Sequence, residues 1–486
     1  MAGPSDVLML SVSGMRGTFG GSLSPEVVVR YCGAFAAWVH QQRSAVKSSK
    51  RPHVVVGFDG RAGSDAVASV ASAALELNGC NVTTLPLPQM TPSMGFIVDR
   101  LGADAGLQVT ASHNPQEWCG LKPIVRAVSA RKGEVSASAP DKTIASDIIA
   151  RYNAGSSAGA AWNGIGGPQD DSPRTAAQHP AHVVSLMKQL KIAPAIKKTR
   201  FHAALDSVTS SGFVAGYELL TALGVKITGV NSEKSLAAGL FPHTPEPTRD
   251  NLVGLSKFVK KLKGKAHVGF AQDPDGDRLA VVDELGNYIG EEYTLVLAAM
   301  AMGELGQLKK GQVLAVNLST SRMIEDVAGW YGCHVVRTAV GEANVVEGMR
   351  TNKSPLGGEG NGGVIWPKVT YIRDSLGAMA LILALMAKRK QTLSQLVAQV
   401  PTYSIVKRKI DLNPSINPKD VVAALADKYA SHKPDRTDGV WVNFADQRAW
   451  LHVRASNTEP IMRLIAEAPT AEQAGAILNE AAAVVG

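Results

Sequence analysis

The sequence predicts an α/β protein, with three related mixed α/β sheet domains followed by a smaller C-terminal α+β domain. Three observations lead there. The chain has 486 residues, and at about 100–200 residues per domain that length implies three or four domains. One strand–helix–strand layout recurs three times along it. The layout then stops near Pro401. The expected domains are residues 1–175, 176–287, 288–400 and 401–486.

The first repeat is His53-Val-Val-Val-Gly-Phe-Asp59, a β-branched strand followed by Gly60 and Arg61. A helix over Ser64–Leu77, Gly79 and a second strand complete it. The second is the strand Phe201–Asp206, a turn, a helix to Leu223, Gly224 and the strand Val225–Ile227. The third is the strand Val313–Asn317, a helix to Tyr331, Gly332 and the strand His334–Arg337. Each helix ends at or near a glycine, which takes the left-handed position after a helix without a Cβ penalty. Units of this length imply parallel pairing and right-handed crossovers, hence related α/β domains. Between the first two repeats, Ser129–Gln178 lacks periodicity and carries the breakers Gly166, Gly167, Pro168 and Pro173, so an extended connection is expected. Val183, Leu186, Met187 and Leu190 then recur at the spacing of one helical face. Past Pro401, Trp441–Phe444 and Ala449–Val453 read as neighbouring strands. Thr470 with Gln473 reads as a capping box for a last helix through Ala474, Ile477, Leu478 and Ala481.

Composition narrows the function classes. Hydrophobic residues are 45% and charged residues 19%, the balance of a globular chain. The longest apolar run, Leu376–Ala387, is 12 residues, against roughly 20 needed to span a bilayer, so no membrane partner is expected. The start, Met1-Ala-Gly-Pro-Ser-Asp6, has no basic segment before an apolar one, which argues against secretion. Cys32, Cys80, Cys119 and Cys333 are far apart, so neither a disulfide framework nor a zinc ribbon is expected and a reducing cytoplasm is the default. The net charge of +8 suits anionic partners. Its densest run, Lys257–Lys265, carries Phe258, Val259 and Leu262 as the buried face of a helix, with the lysines on a solvated face. Its one aromatic, Phe258, lies on that buried face, so no nucleic-acid platform is expected.

Four segments carry chemistry. Thr110-Ala-Ser-His-Asn-Pro115 follows the strand Ala105–Val109, so Ser112 falls at a strand C-terminus, where open α/β sheets place ligands. Ser112 is a candidate nucleophile, His113 a proton carrier and Lys122 a phosphate counter-charge. A plain capping turn fits the same residues. Asp273-Pro-Asp-Gly-Asp277, followed by Arg278, puts three carboxylates at alternate positions. They repel one another unless a cation sits among them, and hard oxygens select Mg²⁺, Mn²⁺ or Ca²⁺; an acidic solvated turn fits the same residues. An EF-hand is excluded, because Arg278 stands where that loop needs glycine and Leu279–Asp283 reads as a strand. Gly357-Gly-Glu-Gly-Asn-Gly-Gly363 offers Glu359 and Asn361 on a flexible loop able to approach sugar hydroxyls. No G-x-G-x-x-G helix start follows it. Arg454-Ala-Ser-Asn-Thr-Glu-Pro460 with Arg463 offers Ser456, Asn457 and Thr458 beside arginines, a plausible phosphate cradle or an Asx-type turn.

These four motifs, in this order and over essentially the whole chain, resemble those of the α-D-phosphohexomutases: phosphoglucomutase, phosphomannomutase and phosphoglucosamine mutase. The resemblance implies four domains around a central cleft, with one motif from each. It implies that Ser112 is carried as phosphoserine and that one Mg²⁺ is bound by Asp273, Asp275, Asp277 and a phosphoserine oxygen at Ser112. Glu359 and Asn361 would read the sugar hydroxyls. Arg454, Ser456, Asn457, Thr458 and Arg463 would hold the non-reacting phosphate. Ser13-Gly-Met-Arg-Gly17 is similar to the family's N-terminal active-site turn and would bring Arg16 to the phosphoserine. The implied activity interconverts hexose 6- and 1-phosphates through a hexose 1,6-bisphosphate, which is both activator and intermediate. Ser112, His113, Lys122, Arg16 and Arg278 would be the catalytic set.

The sequence departs from the family at Cys119, where asparagine is usual. It departs also at Ala343, where many members place a lysine or arginine against the sugar. The Gly-Glu-x-Asn-Gly-Gly loop, with Val340-Gly-Glu-Ala-Asn344, is similar to a phosphoglucosamine-mutase-like subgroup and tilts the expectation towards glucosamine phosphate. Glucose and mannose phosphates are the alternatives. A phosphohydrolase using the same serine and metal, or a non-catalytic phosphosugar sensor, is a rival of another class. The expected partner is a small phosphosugar, and oligomeric state is left open.

Overall fold

The computed structural model describes residues 7–45, 49–128, 135–169, 177–231, 239–262, 264–412, 416–455 and 461–485. In chain order the first elements are β1 (Met9–Ser11), β2 (Gly14–Thr18), α1 (Pro25–Ala45), β3 (His53–Phe58), α2 (Ser64–Leu77), β4 (Asn81–Thr84), α3 (Thr91–Leu101), β5 (Ala105–Val109), β6 (Trp118–Val128), β7 (Val135–Ser138) and α4 (Lys142–Asn153). Next come α5 (Gln178–Gln189), α6 (Ala193–Thr199), β8 (His202–Asp206), α7 (Gly212–Ala222), β9 (Lys226–Gly229), α8 (Val253–Lys261), β10 (Val268–Gln272) and β11 (Leu279–Val282). Then follow α9 (Glu292–Glu304), β12 (Val313–Asn317), α10 (Met323–Trp330), β13 (His334–Thr338), α11 (Glu342–Asn352), β14 (Gly357–Glu359), β15 (Gly363–Ile365), α12 (Ser375–Arg389) and α13 (Leu393–Val397). The last are β16 (Ser404–Asp411), α14 (Pro418–Lys428), β17 (Val440–Phe444), β18 (Ala449–Ala455), β19 (Ile461–Ala468) and α15 (Ala471–Val485). Two compact units result, Met1–Thr294 with Gly362–Ser394, and Leu295–Asn361 with Gln395–Gly486.

In the first unit, one sheet runs β1-β2-β6-β5-β3-β4, with β7 beside β6. β3 lies parallel to β4 and β5, while β5 and β2 lie antiparallel to β6. The unbroken apolar run of β3 follows from burial on both faces: Val54 and Val56 join a core with Tyr31, Phe35 and Leu75, and Val55 one with Met94, Ile97 and Val98. A second sheet runs β11-β10-β8-β9, again with a parallel trio and one antiparallel strand. Along α8, Leu255 and Val259 are buried while Lys257, Lys260 and Lys261 are exposed, so this lysine run is a solvated helix face.

The expected connection at Ser129–Gln178 is corrected within its described part: it holds β7 and the 12-residue α4. Asp141 caps α4, accepting a hydrogen bond from Ile144 N at 2.8 Å, and Ala145, Ile148 and Tyr152 bury one face. Only one short apolar stripe in a Ser- and Ala-rich setting marks this helix, which is why periodicity alone passes over it. The apolar run Leu376–Ala387 lies in α12, buried throughout and packed on α5, α6 and α7, so its all-round apolarity belongs to a core helix. No described helix is long and apolar enough to cross a membrane.

In the second unit, β12 lies parallel to β13 and β14. The antiparallel sheet β16-β19-β18-β17 packs Leu451, Val453, Met462 and Leu464 against Val421, Leu425, Ala474 and Leu478. The expected cap is present: Gln473 N donates to Thr470 Oγ1 at 3.2 Å. The orders β4-β3-β5, β9-β8-β10 and β13-β12-β14 are one topology used three times.

Candidate active site

Three of the four motifs occupy the same place in this topology. Ser112 lies in the turn from β5 to β6, Asp273–Asp277 in the turn from β10 to β11, and Gly360–Gly362 between β14 and β15. Each follows the C-terminal end of a parallel strand.

Ser112 is 3% exposed and adopts the left-handed region, φ 53°. That conformation costs about 1–3 kcal/mol for such a residue and persists only where the surroundings enforce it. Here Ser112 N donates to Thr110 Oγ1 at 2.9 Å, and Arg61 Nη2 donates to Ser112 O at 2.7 Å. Arg61 Nη1 also donates to Trp118 O, so one guanidinium ties both ends of the loop. Asp59 pairs with Arg61 Nε at 2.9 Å and accepts from Thr110 Oγ1 at 2.6 Å. The serine Oγ is left facing Asp273 Oδ2 and His113 Nδ1, each at 3.3 Å. Burial, then Arg278 and Arg16, drives the His113 pKa far below the usual imidazole range.

Arg16 arrives on the β1–β2 hairpin and donates to Asn114 Oδ1 at 2.9 Å, two residues from Ser112. The register pairs Arg16 with Gly120, where a Cβ would lie 2.0 Å from Met15 O. Glycine at 120 is what lets β2 dock.

Asp273, Asp275 and Asp277 are fully buried, with ligand oxygens within 4.8 Å of one another. Lys122 Nζ lies 2.8 Å from Asp277 Oδ2 and 3.3 Å from Asp275 Oδ2, and Arg373 Nη2 lies 2.6 Å from Asp277 Oδ2. Burial, then Asp277 and Asp275, pushes the Asp273 carboxyl well above its usual range. Burial acts the same way on Asp277, but Arg373, Lys122 and Arg278 outweigh it and hold that carboxyl low. Asp275 Oδ1 and Asp277 Oδ1 are buried with no hydrogen-bond partner among the described residues. Three hard anionic oxygens, two of them unpartnered, fit a divalent cation of the Mg²⁺ type. Arg278 N donates to Asp273 Oδ1 at 3.0 Å, and Arg278 Nη1 lies 3.6 Å from Glu246 Oε1. Hydroxyls hold the loop's frame: Thr91 on Asp275 Oδ2 at 2.6 Å, Ser210 and Ser211 on Pro274 O at 2.7 and 2.6 Å, and Ser375 on Gly276 O at 2.7 Å.

In the second unit, the flexible loop expected over Gly358–Asn361 is corrected in its first half: Gly358 and Glu359 belong to the buried strand β14, because it pairs with β12. Glu359 Oε1 accepts from Asn317 Nδ2 at 2.8 Å and Gly341 N at 3.2 Å, which orients the carboxylate. Asn361 follows in the turn, half-buried. Ser456, Asn457 and Thr458 lie outside the described residues. Their neighbours carry a signal of their own: Arg454 on β18 stands directly across from Arg463 on β19, and Arg463 across from Lys409 on β16. Like charges so placed destabilise a sheet, and a bound dianion would offset that. Arg454 Nη1 lies 3.6 Å from Asp438 Oδ2, which also accepts from Val340 N at 3.0 Å.

The sequence reading passed over Arg61 as part of a repeat, and it passed over Arg373, Thr91 and Asp59. Of these, only Asp59-Gly-Arg61 carried a signal, a charged pair directly after a strand.

Such an array of sheets, serine and carboxylates is the equipment of a multidomain α/β enzyme, and comparison with known proteins sharpens the class. The chain matches "Phosphoglucomutase/phosphomannomutase, alpha/beta/alpha domain I" over residues 9–148, domain II over 180–286 and domain III over 290–403. It matches the C-terminal domain of the same family over 406–484. It is 32% identical to a "Phosphoglucomutase/phosphomannomutase" of Thermococcus kodakarensis, covering 95% of this chain and 94% of that one. It is 30% identical to a "Probable phosphoglucosamine mutase" of Pyrococcus abyssi, covering 97% and 96%. The crystal structure of a phosphoglucomutase/phosphomannomutase family protein from Burkholderia thailandensis shares the fold, with a TM-score of 0.78 at 23% identity over 98% of this chain and 97% of that one. The chain belongs to the phosphoglucomutase/phosphomannomutase family, whose members are phosphohexomutases, a group of isomerases.

Proposed function

We propose that the chain interconverts hexose 6-phosphate and hexose 1-phosphate through a phosphoserine at Ser112 and a bisphosphorylated sugar, with glucosamine phosphate as preferred substrate. One observation carries the proposal: Ser112, whose backbone carbonyl Arg61 holds in a strained turn, places its Oγ 3.3 Å from Asp273 Oδ2 of a buried acidic triad. Segments 1–175, 176–287, 288–400 and 401–486 would each contribute one loop. Asp273, Asp275, Asp277 and the Ser112 phosphate would hold Mg²⁺, which supplies charge stabilisation for a phosphoryl group.

The protein's own residues do the rest. A free sugar hydroxyl attacks the phosphorus on Ser112. The P–O bond to the serine breaks, a P–O bond to the sugar forms, the hydroxyl proton leaves to a nearby base, and the freed serine oxygen takes up a proton. Arg16, Lys122 and Arg278 offset charge on the moving group. A neutral His113 beside Oγ can orient the serine through the contact of its Nδ1 with that oxygen. The bisphosphate then turns end for end and returns its other phosphoryl group to Ser112. Arg454, Arg463, Ser456, Asn457 and Thr458 hold whichever phosphate is idle. Glu359 and Asn361 accept from and donate to sugar hydroxyls. The Gly-Glu-x-Asn-Gly-Gly loop and the Pyrococcus abyssi relative's name support glucosamine phosphate, and the Thermococcus kodakarensis relative's name supports gluco and manno substrates.

The test is an isomerase assay with glucosamine-, glucose- and mannose-6-phosphate in parallel, beside an intact-mass measurement. A phosphate adduct lost in Ser112→Ala, together with activity, is expected. A wild type that is unmodified yet fully active without any bisphosphate would overturn the carrier role. Steady phosphate release without isomer formation would replace it with a phosphohydrolase.

A further inference from the structure

Arg373, at the end of the segment between β15 and α12, and Ser375, the first residue of α12, grip the acidic loop or its frame, and Asp374 between them caps the helix. Arg373 Nη2 donates to Asp277 Oδ2 at 2.6 Å, the same oxygen that receives Lys122 Nζ at 2.8 Å. With that oxygen taken twice, the buried Oδ1 of Asp277 is the one left without a partner among the described residues. Asp374 caps α12, its Oδ1 accepting from Leu376 N and its Oδ2 from Gly377 N, both at 2.9 Å. Ser375 Oγ donates to Gly276 O at 2.7 Å and accepts from Gln272 Nε2 at 2.7 Å.

Asp374 is in turn anchored by a histidine that the proposed reaction does not use. His179 Nε2 lies 3.2 Å from Asp374 Oδ2, and His179 Nδ1 lies 2.9 Å from Ser93 Oγ. The carboxylate can only accept, so Nε2 carries the proton. This Ser–His–Asp chain resembles a nucleophile relay. However, Ser93, His179 and Asp374 are 1%, 0% and 1% exposed, so no substrate reaches it. Packing ties the same segment down. Phe96 stacks on the His179 ring at 5.5 Å, and His182 Nε2 bonds to Lys368 O at 2.8 Å. α3 presents Gly95 where a Cβ would lie 2.4 Å from Ile372 Cδ1, so the segment lies against the helix backbone.

We propose that Arg373 is a positioning residue that sets which oxygen of Asp277 is offered to the divalent cation, and that the buried His179–Asp374 pair fixes Arg373. This rests on the reading of the acidic triad as a metal site. A guanidinium that occupies Oδ2 leaves a single anionic oxygen, so Asp277 binds through one atom. Such partners of a ligating carboxylate change metal affinity or activity by about 10- to 100-fold when removed. His179 touches none of the three aspartates, so its effect reaches the metal only through Asp374 and Arg373.

Mn²⁺ is the probe, titrated calorimetrically into the full chain, with thermal unfolding measured on the same samples. Arg373→Lys keeps the charge but loses the planar fork, and is expected to bind Mn²⁺ roughly tenfold more weakly. His179→Phe keeps the ring and every charge of the triad but removes both hydrogen bonds. It is expected to weaken Mn²⁺ binding in the same direction, and His179→Gln is expected to recover part of the loss. A purely structural role would lower the unfolding temperature of His179→Phe while Mn²⁺ affinity stayed at the wild-type value, and that result overturns the proposal. If His179→Phe does not fold, Arg373→Lys decides alone: affinity within about twofold of wild type shows that only charge counts there and overturns it. A wild type that binds no Mn²⁺ removes the metal reading and this proposal together. A wild type that binds Mn²⁺ beside variants that bind it equally removes this proposal only.

Discussion

At the scale of single residues, the site is built by side chains whose partners are far away in the sequence. Arg61 is the clearest example: it is 2% exposed, reaches Ser112 O across 51 positions, and neutralises the fully buried Asp59. Removing a buried cation strands its carboxylate, which costs about 3–5 kcal/mol. Arg61→Met should therefore lower the free energy of unfolding by that amount in a urea titration; a loss under about 1 kcal/mol, the worth of an exposed pair, would show that Asp59 is not dependent on it. Asp275→Asn should weaken Mg²⁺ binding and cut turnover if the triad holds the cation as proposed, since it removes a negative charge from a carboxylate whose Oδ1 has no partner among the described residues. Undiminished activity of the wild type in excess chelator would instead make the 273–277 loop a structural turn. Ser112 and the three aspartates were legible in the sequence because their chemistry is packed into runs of six residues or fewer, at strand ends. Arg61 and Arg373 were not, because a buried arginine's meaning lies in its partner, and Arg373 meets Asp277 across 96 positions.

At the scale of elements, the turn after β8 shows how strain is held beside the metal loop. Val208 and Thr209 both take positive φ, 51° and 52°, which β-branched residues rarely adopt. Asp206 braces them: it accepts from Val208 N at 3.1 Å, from Asn231 Nδ2 at 3.2 Å and from His243 Nε2 at 3.0 Å. Burial alone would lower the His243 pKa, but the hydrogen bond to Asp206 and its charge raise it above the usual value. A histidine whose pKa is raised on folding contributes stability that is complete below its unfolded value, about 6.5, and is lost as pH rises through the folded value. Unfolding free energy should therefore fall as pH climbs across that window, and His243→Gln should flatten this part of the profile; an unchanged slope in the variant would assign the titration elsewhere. The strands and the Gly-terminated helices were legible because apolar period and C-terminal glycines agree. Helix α4 was not, since only Ala145, Ile148 and Tyr152 bury one face among scattered Ile and Ala residues, which gives its period little contrast. The Gly357–Glu359 strand was missed because glycines advertise a turn, while its order comes from pairing with β12.

At the scale of the whole molecule, the recurrence of one sheet topology was legible, because each repeat spends about the same length on strand, helix and strand. The division into two units was not, since each unit is assembled from two separated stretches of chain. Substrate choice belongs to this scale too, because a mutase must accept one sugar in two orientations, and contacts specific to one end would stall the other half-reaction. Discrimination must then rest on a few contacts near the ring's middle. Glu359 is buried and oriented by Asn317 and Gly341, and Glu342 is a second carboxylate on the adjoining helix α11. A 2-ammonium group meeting either would gain a charge-assisted hydrogen bond of roughly 1.5–3 kcal/mol, which is on the order of 10- to 100-fold in kcat/KM. Catalytic efficiency should therefore rank glucosamine phosphate first and glucose phosphate second, and Glu359→Gln should narrow that gap while Ser112 remains phosphorylated. Should the wild type instead favour glucose or mannose phosphate by about tenfold or more, one such bond's worth of free energy, the carboxylates serve sugar hydroxyls and the glucosamine assignment falls, while the phosphohexomutase class stands.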